Sequence, residues 1–180
     1  KKGRAYVSFD NHRFDDNKPY VFMTDDYGKS WKNITSDLPK DYSVYVIKED
    51  YIDENLLFVG TEKSVYFTIN QGKIWEKLGS NLPSVAIHDL VIHPRDGDLI
   101  AGTHGKSIWI LDDISPLRNL NFNSNKIIPS RESTKWIKIN TGRKQPYFEF
   151  RGENPPYGAI INFYSKTEIK GKLTITNGSG

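Results

Sequence analysis

Three of the four histidines fall at His88, His93 and His104, and imidazole is a common metal ligand. Side chains on a regular strand alternate faces, so His88 shares a face with Leu90 and Ile92 while His93 points the other way. The two cannot hold one ion, and His104, in the turn from Gly102 to Gly105, reaches only one of them. The reading is no metal site, with His88 and His104 hydrogen-bonded between strands and Asp89 or Asp112 as partners. Asp112 and Asp113 end the run Ile108 to Leu111 and face opposite ways, so they do not form a general acid/base pair. They cap the following turn or line a central face of the fold. Asp15 and Asp16 sit in a polar stretch from Asn11 to Lys18, read as a loop open to a partner. His88, His104, Asp15, Asp16, Asp112 and Asp113 are therefore the candidate ligand-facing residues. None is given a catalytic role, and no cofactor is expected.

The elements that must position them come from an internal repeat. Thr24-Asp25-Asp26-Tyr27-Gly28-Lys29-Ser30-Trp31 returns 44 residues later as Thr68-Ile69-Asn70-Gln71-Gly72-Lys73-Ile74-Trp75. Leu38-Pro39 recurs as Leu82-Pro83 and Val46-Ile47 as Leu90-Val91 at the same offset, and Leu57 to Thr61 recurs as Leu99 to Thr103 at an offset of 42. Each unit reads as short strands between turn residues: Val44 to Lys48, Leu56 to Thr61, Val65 to Thr68 and Ile74 to Leu78, then Ile87 to Ile92, Leu99 to Thr103 and Ser107 to Leu111. Four-stranded units of this length are the mark of β-propeller blades, which bury their faces only by stacking. Residues 1–118 hold about two and a half such blades, fewer than a closed ring takes, so the expectation is the C-terminal part of a larger propeller.

The repeated octet fits Ser/Thr-x-Asp-x-Gly-x-Ser/Thr-Trp, the aspartate box. Gly28 supplies positive φ, Asp26 accepts hydrogen bonds from turn N–H groups, and Trp31 is expected to bury its ring against a neighbouring strand or blade. Thr24, Ser30, Thr68, Asn70, Gly72 and Trp75 complete the two structural sets. Asn70 accepts the same bonds without the charge, and Ile74 replaces the hydroxyl residue.

The chain has 180 residues, no cysteine and a net charge of +3. Residues 1–117 carry 14 Lys/Arg against 18 Asp/Glu, and 118–180 carry 11 against 4. That basic charge is scattered, without the concentrated stripe that nucleic-acid binding needs. No apolar run reaches the length of a membrane span. Without cysteine the compartment cannot be read from redox logic. The missing initiator methionine suggests a truncated or processed chain. Asn33-Ile34-Thr35 and Asn177-Gly178-Ser179 match the glycosylation triplet, a frequent chance match.

The boxes, the phrase Leu57-Phe58-Val59-Gly60-Thr61-Glu62, and the stretch His88 to Asp113 resemble the end of bacterial sortilin-like propellers with neuraminidase-type repeats, often labelled glycosyl hydrolases. The resemblance spans roughly 1–165. It implies a linker over 119–153, pinned by Trp136, Tyr147 and Phe148, and then a small β-sandwich opening at Asn154-Pro155-Pro156-Tyr157 with strands at Ile160 to Tyr164 and Leu173 to Thr176. It implies a secreted, periplasmic or cell-surface protein whose partners are the missing blades and a peptide, protein or glycan. The leading expectation is a non-catalytic binding propeller. The alternatives are a glycoside hydrolase whose carboxylates lie in missing blades, and a structural module of a surface or secretion assembly. The arginine-bearing Phe-Arg-Ile-Pro phrase of sialidases is absent; Phe150-Arg151-Gly152 is the nearest approach.

Overall fold

The computed structural model describes residues 1–79, 81–129, 131–133 and 157–176. The chain divides into two units, Lys1–Arg118 and Asn119–Gly180. Trp136, Tyr147, Phe148, Arg151, Asn154, Pro155, Pro156 and the triplet at 177–179 lie outside the described residues.

The first unit is all-β and is a partial β-propeller. Its first sheet is β1 (Ala5–Asn11), β2 (Asp16–Thr24) and β3 (Lys32–Asn33). The second holds β4 (Val44–Glu49), β5 (Leu57–Thr61), β6 (Val65–Thr68) and β7 (Glu76–Lys77). The third holds β8 (Ile87–Ile92), β9 (Leu99–Thr103) and β10 (Ile108–Leu111). Every pairing is antiparallel between neighbours in sequence.

A sheet with one covered face alternates buried and exposed side chains. In β5 all five residues are buried, so both faces of the second sheet are covered. Leu57 and Val59 join Val21, Met23, Ile34, Leu38, Val44 and Trp75 in one core cluster. Phe58 and Gly60 face the other way, and a Cβ placed on Gly60 would lie 2.8 Å from the Ile87 carbonyl oxygen. The third sheet is covered on one side: Ile87, Leu90, Ile92, Leu99 and Ala101 are buried, whereas Val91, Ile108 and Ile110 are exposed. Strands β4 and β8 run against each other, and β1 lies against β4. The three sheets therefore fan out from a narrow edge at their first strands.

The repeat holds with one adjustment to its register. Val44 and Ile87 both oppose the threonine that ends their second strand, Thr61 and Thr103. The first strands are thus 43 positions apart, so Val46 corresponds to Asp89 and not to Leu90. Each of these strands has a β-bulge, at Tyr45 and at His88. The bulge adds a residue that opposes nothing and reverses the parity on either side of it.

An ion pair ties the third blade to the second. The helix α1 (Ser115–Arg118) brings Arg118 onto Asp50, with Nε and Nη2 donating to the carboxylate at 2.7 and 2.9 Å. Asp50 is 3% exposed and also accepts from the N–H groups of Ile52 and Asp53. Burial works against its charge, but the guanidinium and the two amides outweigh it and hold the carboxyl below its ordinary value. Removing Arg118 leaves a buried carboxylate short of two donors, so Arg118→Ala is expected to cost about 1–3 kcal/mol in urea unfolding. A carboxyl depressed in the fold stabilises above its unfolded value of about 4 and loses that contribution as pH falls through the folded value. The gap in melting temperature between the natural protein and Asp50→Asn should therefore be full at pH 7 and close below about pH 4.

In the second unit β11 (Lys126–Ile128) pairs antiparallel with β12 (Asn162–Tyr164). Phe122 meets the Tyr164 ring edge-on at 5.4 Å. The stretch expected to be a plain linker thus contributes a strand. Leu173 to Thr176, expected as a strand, is not one: Leu173 and Ile175 are 57% and 78% exposed, with no facing strand among the described residues.

Candidate functional site

The two ends of the sheets carry different chemistry. At one end lie the turns after β4 and β8 and the repeated octets. Thr24 Oγ1 accepts from the N–H groups of Asp26 and Gly28. The Asp26 carboxylate accepts from the Thr24 hydroxyl and from the Ser30 hydroxyl and N–H. The Ser30 hydroxyl first, then the Ser30 N–H and Thr24, hold the Asp26 carboxyl at about 2. The second octet repeats this without charge: Asn70 Oδ1 accepts from Thr68 Oγ1, Lys73 N and Ile74 N, and Thr68 Oγ1 from Asn70 N and Gly72 N. Gly28 and Gly72 have φ of 84° and 77°, the left-handed conformation that L side chains resist.

The two tryptophans differ. Each ring lies over its turn glycine, 3.8 Å from a Cβ placed on Gly28 and 3.3 Å from one on Gly72. Trp75 is 5% exposed; its indole N–H donates to Ile34 O at 2.9 Å and its backbone N–H to Asp37 Oδ1. Trp31, expected to be buried, is 46% exposed. The partner loop of Trp75, from Ile34 to Asp37, lies one blade earlier.

At this same end are His93, paired with Asp96, and Asp113. Asp113 takes φ 59°, donates its N–H to Asp98 and accepts from Ser115 N, which caps α1. The acidic pair at 112–113 therefore belongs to the octet end, away from His88 and His104.

The opposite end gathers the turns after β1, β5 and β9 and the starts of β4 and β8. Here the two bulged residues meet: the Tyr45 and His88 rings are 4.8 Å apart, and His104 lies 5.3 Å from His88 at 63°. His104 is placed by its N–H, which donates to Ala86 O, just as Glu62 N donates to Ser43 O one blade earlier. The bulge overturns the expected face of His88. Ile87, Leu90 and Ile92 are buried together, while His88 is extruded and exposed. Its companions are Tyr45 and His104; Asp89 instead accepts from Leu90 N. Burial, and then the carboxylates of Asp10 and Glu62, push the Tyr45 phenol above its ordinary value, keeping it a neutral donor. Beside it, Lys63 Nζ sits 4.5 Å over the Tyr42 ring.

Asp15 and Asp16 share this end. Only His12 to Asp15 separate the two strands: Asp15 closes a 3-10 turn at φ 58°, and Asp16 opens β2 opposite Asn11. Asp16 was expected in the loop, but it is a strand residue. The Tyr20 hydroxyl, at 2.6 Å, and Lys18 N hold its carboxyl below the ordinary range. Tyr45 was missed in the sequence because a bulge is a property of pairing. Arg4 was missed too; its buried guanidinium pairs with Asp25, Glu49 and Glu54 through contacts 21 to 50 positions away. Among the described residues, no group of three His, Cys, Asp or Glu is placed to hold a metal, and no helix is long and apolar enough to cross a membrane.

The family model described as Sortilin, neurotensin receptor 3, matches residues 19–170. Among curated proteins none matches the chain. Among solved structures the chain is similar to YCF48 bound to D1 peptide, with 24% identity and a TM-score of 0.39 over 52% of this chain. The match covers 30% of that chain, so the protein spans under a third of its length.

Proposed function

The chain belongs to the Sortilin-Vps10 family, and from that premise we propose that it is a non-catalytic propeller segment, working outside the cytoplasm, that captures an extended peptide or protein segment at the narrow edge of its blades. The observation that carries this reading is the stack of the half-buried Tyr45 with the exposed His88 and His104, built from two bulges and a turn on adjacent sheets. Aromatic faces and neutral donors held on rigid strands recognise apolar and aromatic side chains at low entropic cost. The neighbouring Asp10 and Glu62 favour basic groups beside them.

A non-catalytic role is supported by how the carboxylates are used. Asp16, Asp26, Asp50 and Asp113 each accept backbone N–H groups that shape a turn, work that engages oxygens a general acid or base would need free. Further blades of the same propeller fit the open outer faces, where Phe9 is 53%, Ile108 67% and Ile110 57% exposed. On this reading 119–153 links the blades to a second β domain that opens near 154.

Peptide and glycan arrays probed with the full chain test it. Captured peptides should bind Tyr45→Ala and His88→Ala at least about tenfold more weakly, a loss of about 1.4 kcal/mol, and Lys29→Ala, at the octet end, as tightly as the natural sequence. Capture of no peptide, or equal binding by all variants, would favour a structural module.

A further inference from the structure

The half-buried Tyr45 has an acid on each of two sheets beside it. Its phenol feels the carboxylates of Asp10, at the end of β1, and of Glu62, just after β5. Register explains why these two come together. Ala5 and Leu57 oppose the threonines that open the two octets, and Asp10, Glu62 and His104 follow five positions after Ala5, Leu57 and Leu99. One position in the repeat thus carries a carboxylate in two sheets and an imidazole in the third.

Neither carboxylate is fully used. Among the described residues the Glu62 side chain has no hydrogen bond or ion pair, and its neighbour Lys63 is drawn over the Tyr42 ring instead. Asp10 is held by His12, whose Nδ1 lies 2.7 Å from both carboxylate oxygens and whose backbone N–H donates at 3.2 Å. A carboxylate has about four acceptor sites, so some stay open. Burial works against the Asp10 charge, but His12 and then Ser43 outweigh it and hold the carboxyl below its ordinary value. Ser43 is 1% exposed, and its hydroxyl, though directed to Asp10, completes no hydrogen bond. A buried hydroxyl left in that state carries a desolvation cost. Packing does not require it: Glu62 N donates to Ser43 O as His104 N donates to Ala86 O, so the matching residue of the next sheet is an alanine.

Resting on the reading of this end as a peptide site, we propose that Asp10, Glu62 and Ser43 form a seat for an arginine side chain of the captured segment. The guanidinium bridges the two carboxylates, Asp10 turns toward it, and the Ser43 hydroxyl donates to Asp10 and closes its missing bond. Arginine suits two carboxylates on separate strands because its five N–H donors are fixed in one plane and its charge is weakly hydrated. Tyr45 borders both this seat and the His88–His104 stack. Side chains of an extended chain share a face at every second position, about 7 Å apart. The ligand therefore carries its arginine two positions from an apolar or aromatic residue.

The probe is a pair of synthetic peptides with Arg-Ala-Phe at the centre of a neutral serine and alanine chain, one as written and one with the uncharged isostere citrulline in place of arginine. Titrated into the full chain, the arginine peptide should bind at least about tenfold more tightly. In Glu62→Gln the two peptides should bind within about twofold of each other. Ser43→Ala should cut the preference at least about threefold without lowering the urea midpoint, a combination that a hydroxyl kept for folding would not give. Equal binding of the two peptides by the natural protein, a preference kept in Glu62→Gln, or a Ser43→Ala variant that loses stability but not preference would overturn the seat. Equal binding that Tyr45→Ala still weakens would leave peptide capture standing. Binding of neither peptide would overturn the seat, and the arrays decide capture separately.

Discussion

Replacing Trp75 with alanine is expected to cost about 3–5 kcal/mol of unfolding free energy, the range for a large aromatic removed from a packed interior. The indole is 5% exposed, joins the core cluster between the first two sheets, and gives its N–H to Ile34 O in a place that water does not reach. Truncation opens a cavity and orphans that carbonyl. Trp31→Ala removes the equivalent residue of the other octet but should cost far less, because that residue is 46% exposed. Urea denaturation of the two variants reads the difference directly as a shift in midpoint at unchanged slope. Equal losses would mean that the two turns sit in equivalent surroundings, and the stacking of the second sheet on the first would be wrong.

Gly60→Val should be the other severe change. A Cβ on Gly60 would stand 2.7 Å from Val46 Cγ1, 2.8 Å from Ile87 O and 2.9 Å from Ile87 Cγ2. Two of those atoms belong to β8 on the next sheet, and one is backbone, which cannot swing aside. Overpacking of this kind typically costs about 1–3 kcal/mol and moves the backbone. The movement matters beyond stability, since the spacing of β5 and β8 sets the approach of the bulged residues Tyr45 and His88. Peptide capture should therefore fall together with melting temperature. Gly102 occupies the matching position one sheet on, where a Cβ would meet its nearest atom at an ordinary 3.7 Å. Gly102→Ala should be tolerated, and a melt as damaged as that of Gly60→Val would show that close approach is not the cause.

Much of the first unit is legible from residue types. Val65–Thr68, Ile87–Ile92 and Leu99–Thr103 fall where apolar runs meet turn residues, because local alternation and turn chemistry both act over a few positions. What local pattern does not carry is pairing. The bulges at Tyr45 and His88 exist only relative to β5 and β9, so strand parity put His88 on the face of Leu90 and Ile92 when it is extruded. The fourth strand shrinks from the expected Ile74 to Leu78 to Glu76–Lys77, because Ile74 N–H and Trp75 N–H are already spent on Asn70 and Asp37. Leu173 to Thr176 has strand-forming residues with no partner strand among the described residues, and propensity alone does not make a ladder. Among the site candidates, His88, His104, Asp15 and Asp16 share one end of the sheets, and Asp113 serves the other as a helix cap. That division follows from which strand ends each residue adjoins, and it could be read only once the order of the sheets was fixed.

The most direct test of the account is a nitrogen-15 NMR titration of the chain with a peptide captured on the arrays. Shift changes should concentrate at Tyr45, Glu62, His88 and His104 and leave Asp26, Asn70 and Asp113 at the far end unmoved. Changes centred on the octet turns, or on Asp112 and Asp113, would contradict recognition at the narrow edge of the blades.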